Sequence, residues 1–223
     1  MKRVFIIAAG LIAALPMAHA TSIVYLFTSG TVTAYGTPEN VTVGGYEITI
    51  WGYDGSVTNP GVVGGAATGT GSQSGLSYDS NGLGVANTGP DEITNNSFVV
   101  VDFSDSGSPG GPKAAGYTAA TIALDHVSAQ TEWIFYGGNA APVAGGISSL
   151  TELAFGTGNV NEAISLASYS YFVIAAAADC YENVKSITLN IPTNTATPEP
   201  GTFVMAGMAL IGLGMGLRKT RKR

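Results

Sequence analysis

Residues 46–50 read Tyr46-Glu47-Ile48-Thr49-Ile50, and residues 185–191 read Lys185-Ser186-Ile187-Thr188-Leu189-Asn190-Ile191. In both stretches apolar and polar side chains alternate. Successive side chains of a strand point to opposite faces, so Tyr46, Ile48 and Ile50 share one face, as do Ile187, Leu189 and Ile191. A third stretch, Phe98-Val99-Val100-Val101, is apolar on both faces, as in a strand covered from both sides. These three stretches decide the fold class: all-β.

Outward from them, further β-rich runs alternate with Gly/Ser/Asn/Thr segments. Strands are expected at 23–27, 31–35, 41–53, 84–86, 98–103, 118–126, 131–136, 150–154, 169–176 and 184–191. About ten strands separated by turn signals predict a two-sheet β-sandwich or jelly-roll-like body over residues 21–190. Residues 161–167 are expected to form one short helix. Residues 60–79, 104–117 and 137–149 read as surface loops at the sandwich ends. The first of these, PGVVGGAATGTGSQSGLSYD, has few side chains large enough to build a core.

Composition excludes several classes. Only 11% of the 223 residues are charged and 31 are Gly, which argues against coiled coils and long helical bundles. A 45% hydrophobic content with 10 Tyr, 8 Phe and 2 Trp argues against simple disorder. One cysteine, Cys180, allows no intramolecular disulfide and no multi-cysteine zinc site. Between Thr21 and Pro200 the only cations are Lys113 and Lys185, against all fifteen carboxylates. That stretch repels nucleic acid.

The remaining cations sit at the two ends. Met1-Lys2-Arg3 precedes the apolar run Val4–Leu15, Pro16 breaks it, and Ala18-His19-Ala20 places small residues at −3 and −1 of a cut. This is the pattern of a secretory signal peptide over residues 1–20, cut by signal peptidase after Ala20. The run rises only about 18 Å as a helix, too short to span a hydrocarbon core of about 30 Å. At the other end, residues 191–200 (IPTNTATPEP) form a Thr/Pro linker. Residues 201–217 (GTFVMAGMALIGLGMGL) carry no charge, and residues 218–223 (RKTRKR) hold five cations. The uncharged span is long enough for a short transmembrane helix, and the basic cluster fixes a cytoplasmic tail with the body outside.

Pro198-Glu199-Pro200-Gly201, an apolar Gly/Leu/Ala-rich span and an Arg/Lys tail, in that order, resemble the PEP-CTERM sorting signal. The resemblance implies recognition by exosortase, a membrane enzyme of exopolysaccharide-producing Gram-negative bacteria. It implies transient inner-membrane anchoring with the body in the periplasm, then removal of the anchor and delivery to the cell surface or medium. Residues 81–103 (NGLGVANTGPDEITNNSFVVVDF) also look like a segment that recurs in PEP-CTERM bodies, with Thr94 where that pattern has Asp.

The body offers few groups for chemistry. After loss of His19 the only histidine is His126. On a strand it faces away from Asp125, so a Ser-His-Asp system is not expected. Acidic neighbours disfavour a Cys180 thiolate. No cofactor is required. Calcium is the one candidate, at Asp91 and Glu92 with Asp102 and Asp105 a strand later, and the alternative there is a solvated acidic loop. Trp51 and Tyr53 share parity with Glu47 and Thr49, so they either form a sugar-stacking platform or lie under a covering sheet or loop. The expectation is a non-enzymatic structural or binding protein of the envelope or extracellular matrix. The alternatives are a calcium-dependent module binding carbohydrate such as exopolysaccharide, and a secreted glycan-active enzyme.

Overall fold

A computed structural model describes residues 22–28, 36–58, 61–86, 92–104, 110–125, 132–177 and 181–190. The signal segment, the 31–35 strand, Asp91, Asp105, His126, Cys180 and everything from the linker to the basic tail lie outside the described residues. Among the described residues every regular element is a strand. In chain order they are β1 (Ile23–Leu26), β2 (Glu39–Val43), β3 (Tyr46–Val57), β4 (Ala66–Ser74), β5 (Leu76–Tyr78), β6 (Leu83–Val85) and β7 (Ser97–Asp102). Then come β8 (Ala119–Asp125), β9 (Glu132–Gly138), β10 (Gly146–Thr157), β11 (Val160–Ser165), β12 (Tyr171–Ala176) and β13 (Asn183–Asn190).

Two sheets pack together. A 6-stranded sheet runs β11-β8-β13-β6-β5, with β1 also on β13. The 7-stranded sheet closes on itself. β3 is long enough to pair with β2 through residues 46–50, with β4 through residues 52–57, and along its other edge with β7 through residues 49–54. The cycle β3-β4-β10-β9-β12-β7 is therefore an antiparallel ring, with β2 as an outrigger. Closure removes the unpaired edges that an open sheet of the same strands would expose.

The alternation read from sequence now acquires two destinations. Tyr53, Ala67, Phe98, Val100, Ile134, Tyr136, Ile147, Leu150, Val173 and Ala175 form one buried cluster drawn only from ring strands, which is the ring interior. The residues between them on the same strands, among them Ile48, Ile50, Val99, Val101, Phe135, Phe172 and Ile174, join Tyr25, Ile122, Val184, Ile187 and Leu189 of the other sheet in a second cluster. That second cluster fills the space between ring and sheet. The all-apolar β7 run is explained: it is buried on both faces because it separates the two cores.

Three expectations are corrected. The 41–53 run is a hairpin, not one strand, because Gly44 and Gly45 take φ of 61° and 86° and turn the chain between β2 and β3. Residues 60–79 hold β4 and β5. A Cβ on Gly69 would lie 3.0 Å from the Phe98 ring, and one on Gly55 would lie 2.1 Å from the Thr70 carbonyl oxygen. Glycine is used here because an aromatic ring and a neighbouring backbone occupy the side-chain space. Residues 160–165 are β11, not part of a helix. Val160, Glu162 and Ile164 turn inward in alternation, and the edge of β8 supplies the hydrogen-bond partners.

On the outer face of the 6-stranded sheet, cross-strand rows are Asn161–Ala123–Ser186 and Ala163–Thr121–Thr188, with Val24 and Leu26 of β1 at one margin. These side chains are small, uncharged and at least partly exposed.

Candidate functional site

Trp51 and Tyr53 point to the ring side of β3. Tyr53 is 0% exposed and stacks on Phe98 at 4.8 Å with the rings 7° from parallel. Its hydroxyl donates to the Val143 carbonyl at 2.8 Å and accepts from Gln73 Nε2 at 3.3 Å. Burial raises the phenol above its ordinary value, and the Gln73 hydrogen bond opposes that shift. Trp51 is half-buried against the same cluster. The sugar-stacking platform is therefore corrected to the covered alternative: Tyr53 is a core residue of the ring. Parity put both residues on one face; it did not show that the sheet curls over that face.

Of the calcium candidates, Asp91 lies outside the described residues. Glu92 is buried, and its carbonyl accepts from Ser97 Oγ at 3.5 Å. Ile93 forms a two-way backbone bridge to Glu182. Thr94 Oγ1 accepts from the Asn96 amide at 3.2 Å while Ser97 Oγ accepts from the Thr94 amide at 2.8 Å. Thr94 thus shapes the turn into β7. Asp102 is buried and accepts from the Ser104 amide at 2.6 Å. Among the described residues no group of three or more His, Cys, Asp or Glu side chains gathers where it could hold a metal ion.

Two buried carboxyls escaped the sequence reading. Glu152 faces Tyr136 across β10 and β9 inside the ring, and neither carboxyl oxygen of Glu152 nor the Tyr136 hydroxyl has a hydrogen-bond partner. Burial, and then the Glu152 carboxylate, push the Tyr136 phenol up. Glu182 is fully buried opposite the core residue Ile93, with both carboxyl oxygens unpartnered. Burial pushes its carboxyl well above the usual carboxylate range. Nothing in the local sequence distinguishes these two from exposed acids.

Among the described residues, concavities open at two places of interest. The smaller, of ≈ 200 Å³, lies at one mouth of the ring between Gly61, Glu132, Ile134 and Phe155. The larger, of ≈ 340 Å³, lies on the outer face of the 6-stranded sheet where β8, β11 and β13 meet. Asp125 ends β8, Asn159 and Asn161 flank the start of β11, and Lys185 with Ser186 comes from β13. Lys185 Nζ donates to Asp125 Oδ2 at 2.5 Å, and Asn159 Nδ2 donates to Asp125 Oδ1 at 2.9 Å. A register shift between Val184 and Ser186 places Lys185 there. Ala123 and Val160 give the concavity apolar wall. Sequence reasoning noted Asp125 only as the neighbour of His126.

No helix among the described residues is long and apolar enough to cross a membrane. No curated protein and no solved structure matches the chain. The apolar segment and its flanks lie at the end of the chain, beyond β13, and there the comparison is positive. Residues 196–222 match the PEP-CTERM protein-sorting motif, which marks the chain as an exosortase-targeted, exported protein.

Proposed function

We propose that the chain is a non-enzymatic protein of the envelope or extracellular polymer matrix, exported with a cleaved signal peptide and anchored by residues 201–217 until exosortase removes the tail. The observation that carries this reading is the sorting motif at residues 196–222. The signal pattern ending at Ala20 supports the first step, because a C-terminal anchor with a basic cytoplasmic tail needs an exported body. A body role in binding or scaffolding suits a rigid frame. Closure of the ring and the two cores hold surface side chains such as Asp125 in fixed positions.

Replacement of Pro198-Glu199-Pro200 by three alanines tests the sorting step. The apolar span stays intact while the recognised sequence is lost. The variant is expected to accumulate in the inner-membrane fraction of the native host with its C-terminal tail still attached. Release into the medium at the wild-type level overturns exosortase handling.

A further inference from the structure

We propose that the ≈ 340 Å³ concavity bounded by Asp125, Asn159, Asn161 and Lys185, with the uncharged shelf beside it, binds a segment of a neutral oligosaccharide. The first ground is donor and acceptor chemistry. A sugar hydroxyl donates and accepts at once, and adjacent hydroxyls match a planar carboxylate, which accepts, beside amide groups, which donate and accept. One carboxylate, two primary amides, one ammonium and the Ser186 hydroxyl line a single concavity. Its volume is at the low end of small-ligand sites and open to solvent, which suits part of a longer chain.

The second ground is preorganisation. Asp125 is clamped from one neighbouring strand and one turn, by Lys185 of β13 at 2.5 Å and Asn159 before β11 at 2.9 Å. The carboxylate orientation is set before any ligand arrives, so less ordering is lost on binding. The third ground is charge. Among the described residues the cations are Lys113 and Lys185. Lys185 is already paired with Asp125, and Lys113 donates to the Tyr169 carbonyl and the Ser170 hydroxyl just before β12. The acidic body around them repels polyanions, so phosphate-rich or uronate-rich polymers find no unpaired cation among the described residues. The fourth ground is shape. The shelf formed by Thr121, Thr188 and Ala163 continues the concavity without a charge, giving a longer chain a flat path along the sheet. The tail leaves at the far end of β13: from Lys185 to Asn190 the strand covers roughly 17 Å at ~3.4 Å per residue. The concavity is thus displaced from Asn190, the end of β13.

The inference rests on the exported-protein reading only in where the ligand is met. Failure of the alanine replacement to block sorting leaves binding in vitro untouched, and failure of binding leaves sorting untouched. The full chain, purified in a detergent without a sugar headgroup, is run through native gels containing laminarin, galactomannan or hydroxyethylcellulose, with alginate as the polyanion. Retardation in at least one neutral gel and none in alginate is expected. Asp125→Ala and Asn161→Ala are each expected to weaken retention at least tenfold. Both side chains are solvent-accessible and the Asp125 ion pair is partly exposed, so the variants keep the wild-type melting curve. Migration unretarded in every neutral gel, retention in alginate alone, or retention unchanged in both variants overturns the proposal.

Discussion

The ring interior and the space between ring and sheet are both apolar, yet they are filled in different ways. Between the layers, Ile, Leu and Val alternate along their strands and interdigitate with Tyr25, Phe27, Phe103, Trp133, Phe135 and Phe172. Inside the ring, a stacked pair, Tyr53 and Phe98, occupies space that Gly69 leaves open. The first arrangement depends on many interchangeable aliphatic contacts. The second adds to its aliphatic contacts a stacked aromatic pair, of which Phe98 fits because Gly69 has no Cβ. Aliphatic packing tolerates small volume changes better than a ring seated against glycine. The glycine-rich β4 therefore serves the ring core through Ala67 and through the space that Gly69 leaves to Phe98.

The sharpest test of that contrast is Phe98→Ala, which removes the partner of Tyr53 and leaves a cavity in the ring. A loss of about 3–5 kcal/mol is expected from urea unfolding. Ile187→Val in the interlayer core is expected to cost about 1 kcal/mol. A Phe98→Ala cost no larger than that of Ile187→Val would show that the stacked pair does not hold the ring together. Gly55→Ala comes next, at about 3 kcal/mol, since its Cβ meets the Thr70 carbonyl oxygen and the Gly71 backbone, which have no rotamer to yield. A variant as stable as wild type would show that β3 and β4 do not approach so closely.

Glu182 probes the rim of the interlayer core by pH. Its carboxyl has a raised value in the folded state, so the folded form prefers it protonated. Stability is then unaffected below the unfolded value near 4.5 and declines as pH climbs from there toward the folded value, by about 1.4 kcal/mol per pH unit. Glu182→Gln is expected to be more stable than wild type at pH 8 and no more stable at pH 4, with a flatter profile between. Parallel profiles for the two proteins would mean that Glu182 is ionised and compensated in the fold. The smallest effect is expected at the surface. Lys185 is 49% exposed on its side chain, and Lys185→Ala is expected to change stability by less than about 1 kcal/mol. A larger loss would make the concavity part of the framework rather than a site borne on it.

The sequence by itself determined the sorting segment, because its recognition depends on contiguous residues: Pro198-Glu199-Pro200 before an apolar run and a basic tail. It determined the all-β class, because the period-2 pattern of Tyr46–Ile50 and Lys185–Ile191 is written locally in the chain. Tertiary structure alone decided that β3 would meet β7 and close the ring, and with it that Tyr53 would be core and not platform. It decided that Val160–Ser165 would be a strand, since the edge of β8 offered hydrogen bonds that outweigh a weak local preference. It also assembled the concavity, drawing Asp125 to Asn159 across 34 residues and to Lys185 across 60. The physical reason is common to all four cases. Alternation fixes which side chains share a face of one strand, whereas the identity of the neighbouring strand, and so what covers that face, depends on pairings between residues far apart in the chain.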